Sequence, residues 1–94
     1  MFDPLIHQPI RSKLIAQLIA NEELPFKYLK DNLELTDGNL SSHLSKLETA
    51  NYIQIEKSFD NKRPKTTIKI TEEGRVAFEN YIAQLKLFIE NSSI

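Results

Sequence analysis

Apolar positions along the chain keep a helical period, switch to alternation, and then return to a helical period. After Pro9, residues Ile10, Leu14, Ile15, Leu18 and Ile19 fall at helical spacing, with Arg11, Lys13 and Gln17 on other faces. Pro9 suits the first turn of such a helix, where its missing N–H has no partner anyway. Asn21, Glu22 and Glu23 end the segment, and Leu5 and Ile6 extend its apolar surface upstream. Pro25 opens a short second helix with Phe26, Leu29 and Leu33 inward and Lys27, Lys30 and Asp31 outward. Leu35 leads to Thr36, whose hydroxyl can accept from the free N–H groups of a third helix over residues 37–50. Leu40, Leu44 and Leu47 form its inner stripe at i, i+4 and i+7. Asn51 follows where a left-handed residue closes a helix.

The period then becomes two. Ile53 and Ile55 alternate with Gln54 and Glu56 over residues 52–58, and Ile68 and Ile70 share one face over residues 66–71. Between these strands, residues 59–64 (Phe59, Asp60, Asn61, Lys62, Arg63, Pro64) read as a polar, turn-rich tip. Thr71 is placed to cap a last helix over residues 72–91, with Glu72 and Glu73 in its first turn, where the macrodipole favours negative charge. Helix, helix, helix, hairpin, helix is the order of a helix-turn-helix with a wing. The expected fold is therefore α+β, mainly α: a winged helix-turn-helix of three helices, a β-hairpin wing and a C-terminal helix. One domain over residues 1–94 is expected from the length.

Composition removes several functions. Hydrophobic residues at 40% and charged residues at 27% lie near globular averages. The absence of cysteine excludes disulfides, thiol catalysis and cysteine-based metal sites, and fits a reducing compartment. No apolar run approaches the roughly 18–20 residues a membrane span needs, and the N-terminus has no signal-peptide pattern, so a cytoplasmic protein with no membrane partner is expected. Two histidines are too few for a metal site. No nucleophile–base set or glycine-rich phosphate loop marks an enzyme, and no cofactor is expected.

A net charge of −1 argues against a polyanionic partner, but its distribution argues for one. Residues 1–40 carry four Lys/Arg against six Asp/Glu, residues 70–94 two against four, and residues 41–69 six against three. A polyanion meets local potential before net charge. On the third helix, the side opposite the leucines carries Ser42, Ser45, Lys46 and Thr49, with Asn39 near its start. Short polar groups there suit phosphates and base edges, although many solvated helices are also rich in serine. Gly38 removes bulk near the helix N-terminus, where backbone N–H groups meet phosphate. His43 lies about 70° from the leucine stripe, where it either packs against a carbonyl or reaches a phosphate. Residues 57–69 of the hairpin carry Lys57, Lys62, Arg63, Lys65 and Lys69 against Asp60. Edge protection accounts for Lys57, Lys65 and Lys69. It accounts poorly for Lys62 and Arg63 at the tip, which suit phosphates or a narrow minor groove.

The chain resembles the small stand-alone winged-helix regulators related to the MarR and ArsR groups. The resemblance is carried by residues 3–7 with Pro9-Ile10-Arg11, by residues 35–44 with Leu47-Glu48, by residues 63–67, and by Thr71-Glu72-Glu73-Gly74-Arg75. It implies a homodimer built on the first and last helices that regulates transcription at palindromic sites. It also implies that Asn39, Ser41, Ser42, His43 and Lys46 face DNA on the third helix, and Lys62, Arg63 and Lys65 on the wing. Asn51 and Asn61 stand where such proteins usually have glycine, and the cysteine pair of many ArsR-like metal sensors is missing.

In the last helix Phe78, Tyr81, Ile82, Leu85, Phe88 and Ile89 recur at near-coiled-coil spacing, with Leu87 facing away. Together with Leu5, Ile6 and Ile10 they form the expected dimer interface. The expected partners are double-stranded DNA, read by helix 37–50 and wing 57–69, and a second copy of the chain. The alternative is a winged-helix module that docks proteins without sequence-specific DNA binding.

Overall fold

The computed structural model describes residues 2–92. The elements run α1 (Pro9–Asn21), β1 (Glu23–Pro25), α2 (Phe26–Asn32), α3 (Asp37–Thr49), β2 (Ile53–Asp60), β3 (Arg63–Ile70) and α4 (Glu72–Ser92). This is the expected winged helix, with the three strands in the order β1-β3-β2, all antiparallel. Leu14, Ile15 and Leu18 of α1, Leu29 of α2, Leu40, Leu44 and Leu47 of α3, and Ile53 and Ile68 of the hairpin close one core. Each of these side chains is at most 1% exposed.

The helix boundaries follow local chemistry. Thr36 Oγ1 accepts from Asn39 N at 3.1 Å, which starts α3 one residue later. Asn51 takes φ 63°, and Tyr52 N donates back to the Leu47 carbonyl, so the helix closes where an asparagine was expected to close it. Thr71 Oγ1 accepts from Gly74 N at 2.9 Å and donates to the Asn51 carbonyl at 2.7 Å, which joins the end of α3 to the start of α4. At Gly74 the two meet so closely that a Cβ would overlap the Tyr52 carbonyl oxygen.

Two features depart from the sequence reading. The stretch between the first two helices is a third strand. Glu23, Leu24 and Pro25 pair with Lys69, Ile68 and Thr67, after Glu22 turns the chain at φ 65° and accepts from Ile70 N at 3.0 Å. Three residues are too few to display alternation, and Pro25 is tolerated because β1 is an edge strand. The wing tip is also shorter than expected. The strands run to Asp60 and from Arg63, so Phe59 and Pro64 are paired residues, and only Asn61 and Lys62 turn. Both central residues take positive φ, 51° and 68°. That is the mirror-image two-residue turn whose twist matches its strands.

Candidate nucleic-acid interface

Three buried leucines pin α3 by one side, which leaves Asn39, Ser41, Ser42, Ser45 and Lys46 exposed on the other. None of these five side chains has a hydrogen-bond or charge partner among the described residues. Thr49 differs, because its hydroxyl donates to the Ser45 carbonyl at 2.9 Å and its proton is already used. Gly38 has open space where a Cβ would stand. Its own chain therefore does not require glycine there, and the helix start is open to a ligand.

The wing stands across a cleft from this face. Asp37, Ser41, Ser45 and Glu48 form one wall, and Lys57 and Thr66 the other. Phe26, Leu44 and Ile55 line the same space of about 360 Å³. Lys57, Lys62, Arg63 and Lys65 are all exposed, with no carboxylate in salt-bridge reach among the described residues. The described ion pair lies instead at the helix start, between Lys30 Nζ and Asp37 Oδ1 at 3.0 Å. It neutralises the acid nearest the open end of α3 and raises the Lys30 pKa. A second groove, which shares Phe26 and Thr66 with the first, brings Lys27 of α2 beside Arg63 and Lys65. Sequence spacing alone gave no reason to group Lys27 with the wing.

His43 is resolved by a residue that the sequence reading put on an outer face. Arg11 is only 9% exposed, and its guanidinium lies under α3. Its Nη1 meets His43 Nδ1 at 3.1 Å, and its Nε donates to the Leu5 carbonyl at 2.6 Å. A guanidinium can only donate, so His43 Nδ1 accepts and its proton sits on Nε2. Burial, and then the charges of Arg11 and Lys46, push the His43 pKa below its ordinary value. His43 is thus a neutral, half-buried residue at the border of the open face. The periodicity did contain the signal for Arg11: it precedes Leu14, Ile15 and Leu18 by three, four and seven residues, on the same inner stripe.

The segment before α1 is tied down from several sides. Asp3 Oδ1 accepts from Leu5 N at 2.9 Å, and Tyr52 Oη donates to Asp3 Oδ2. That bond, then burial and the charges of Asp3 and Glu73, push the Tyr52 pKa up to about 12. His7 Nδ1 bonds Tyr81 Oη at 3.1 Å, and Phe2 stacks on His7 with ring centroids 4.7 Å apart.

These contacts correct part of the expected dimer surface. Ile6 is fully buried in its own chain and Tyr81 is 8% exposed, so both support a surface and add little to one. Leu5 lies beside Lys46 and Thr49 of α3 and Ala50 just after it. Ile10 is half-buried against the core. The apolar strip left open runs from Ile19 and Phe78 through Ile82 to Leu85 and Ile89. Phe88 is 58% exposed although its ring meets Phe2 edge-on. Among the described residues, no helix is long and apolar enough to cross a membrane.

Comparison with known proteins agrees with this geometry. An uncharacterized protein of Methanocaldococcus jannaschii is 45% identical over 87 residues, 93% of this chain and 95% of that protein. Among solved structures, a transcriptional regulator homologue from Pyrococcus horikoshii OT3 is similar with a TM-score of 0.90 and 28% identity. The match covers 96% of this chain and 89% of that one. The YusO protein of Bacillus subtilis shares the fold at a TM-score of 0.76 and 20% identity, over 90% of this chain and 60% of YusO. An ArsR family transcriptional regulator shares it at 0.61 and 17%, over 92% of this chain and 84% of that one. A family model described as a winged helix DNA-binding domain matches residues 10–89, from the first helix to near the end of the last, and what it describes is a binding domain and not an enzyme. With that match spanning the core, the polar helix face and the wing together, the chain belongs to the winged helix DNA-binding domain family.

Proposed function

We propose that this protein is a homodimeric transcriptional regulator that reads a palindromic DNA site, with α3 in the major groove and the wing on the backbone or in the minor groove. One observation carries the reading: the open face of α3 and the basic wing stand across one cleft, and Asn39, Ser41, Ser42, Ser45, Lys46, Lys62, Arg63 and Lys65 have no side-chain hydrogen bond or ion pair among the described residues. Asn39, Ser41, Ser42, Ser45 and Lys46 serve base edges and phosphates, and Lys62, Arg63 and Lys65 the phosphate rails. His43 acts from the border as a neutral Nε2–H donor. The strip of Ile82, Leu85, Phe88 and Ile89 serves the second protomer, which sets the two copies of α3 about 34–36 Å apart, one turn of DNA. Lys86 and Glu90 border the strip with opposite charges, which suits a two-fold contact between identical faces.

Duplex affinity measured as a function of salt tests the reading. Each phosphate contact contributes about −0.9 to the log–log slope, so Lys62→Ala/Arg63→Ala is expected to make the slope shallower by about 1.8. Sites selected from a random DNA pool are expected to be palindromic. A wild-type chain that ignores duplex DNA at low salt would point to a protein-docking module instead, and a monomer at micromolar concentration in sedimentation would overturn the dimer.

A further inference from the structure

The β2–β3 register pairs Ile53 with Ile70, Ile55 with Ile68, Lys57 with Thr66, and Phe59 with Pro64. Side chains two residues apart share a face, so these four pairs line one side of the ribbon. Its first two pairs close the core, but the same side continues past the edge of the domain to end on an uncovered Phe59–Pro64 pair. Phe59 is 77% exposed, more than Leu87 at 60% or Phe88 at 58%. Pro64 fits this position without cost to the ladder. It sits one pair from a two-residue turn, where opposed residues exchange no hydrogen bonds, and β1 reaches only residues 67–69 of β3.

A single exposed aromatic residue is ordinary; its surroundings are not. Lys57 lies on the same face, and Lys62, Arg63 and Lys65 surround the tip against Asp60 alone. The apolar strip of α4, by contrast, is bordered by Lys86 and Glu90. An apolar pair ringed by unpaired cations matches a surface of hydrocarbon walls between two anionic rails. The minor groove of DNA is such a surface, with deoxyribose C–H groups inside the phosphate lines. We propose that Phe59 and Pro64 form an apolar minor-groove contact at the wing tip, which packs on deoxyribose or wedges against a base step while the adjacent cations hold the phosphates. This rests on the DNA-binding reading and adds to it a contact that owes nothing to charge.

The test uses the full chain and a labelled duplex of about three helical turns, roughly 30 base pairs. Phe59→Ala is expected to weaken binding about tenfold or more at every salt concentration, as loss of a buried phenyl group implies, with the salt slope unchanged. The chain has no tryptophan, so Phe59→Trp places a single reporter at the tip. It is expected to keep near-native affinity, and its emission is expected to change on DNA addition as the indole becomes shielded from acrylamide. Unchanged affinity in Phe59→Ala, or an indole as open to acrylamide with DNA as without it, overturns the contact while leaving DNA binding intact. A shift of DNA-free Phe59→Ala from dimer to monomer in sedimentation also overturns it, since the pair would then be covered by a second copy. Failure of the wild-type chain to bind any duplex at low salt removes the underlying reading and the contact with it.

Discussion

The N-terminal segment with the start of α1 and the wing both carry charged and polar side chains, yet these are used in opposite ways. Asp3, His7 and Arg11 each meet a partner in another element: Tyr52 at the start of the hairpin, Tyr81 in α4, and His43 in α3. Lys57, Lys62, Arg63 and Lys65 meet no carboxylate among the described residues, and the wing is held by its backbone ladder. Polar groups whose bonds are made inside the chain hold elements in place, and groups left open are available to a ligand. Residue type does not separate the two regions, since an arginine stands in each.

Three variants test this contrast, and the largest stability effect is expected at Arg11, which holds the N-terminal segment. Arg11→Met keeps the bulk of the side chain but removes the donors to the Leu5 carbonyl and His43 Nδ1. It is expected to lower unfolding free energy by about 2 kcal/mol, read as an earlier urea midpoint. An unchanged midpoint would mean that the buried guanidinium does not hold the segment. Tyr52→Phe is expected to cost about 1 kcal/mol at neutral pH and also to alter alkaline behaviour. The Tyr52 phenol ionises near 10 in the unfolded chain and near 12 in the folded one, so between those values the unfolded state has lost more protons and stability falls as pH rises. The bond to Asp3 therefore contributes fully below pH 10 and is lost through pH 12. Thermal unfolding over that window is expected to flatten in Tyr52→Phe, and an identical slope in both chains would break the assignment. The smallest effect belongs to the wing. Lys62→Ala/Arg63→Ala is expected to leave the urea midpoint within about 0.5 kcal/mol of wild type, although the same change makes the salt dependence of DNA binding shallower. A clear loss of stability would show that the tip cations do structural work after all.

Much of this division was legible in the residues. The leucine stripe of α3, the Thr36 and Thr71 caps and the left-handed Asn51 were readable because each depends on a few neighbouring positions. The open polar face of α3 followed from the same spacing, and the basic tip from composition alone. The strand at Glu23–Pro25 was not readable, since its identity lies in the pairing with β3. The charge of Arg11 argues for an outer face, although its position matches the buried stripe of Leu14, Ile15 and Leu18. Its burial depends on acceptors supplied by Leu5 and by His43, 32 residues away. Ile6 and Tyr81, expected at a dimer interface, are buried for a similar reason, because an apolar position in the sequence does not say whether its own chain or a partner covers it.

By itself, then, the sequence determined the order of the helices and the hairpin, the apolar stripe of each helix, and where positive charge collects, because period, caps and local charge are properties of neighbours in the chain. Tertiary structure decided which polar groups are already satisfied, which apolar groups remain open, and that Phe59 continues the face of the core beyond the domain. Those outcomes depend on what distant segments bring to each side chain, and no local pattern encodes that.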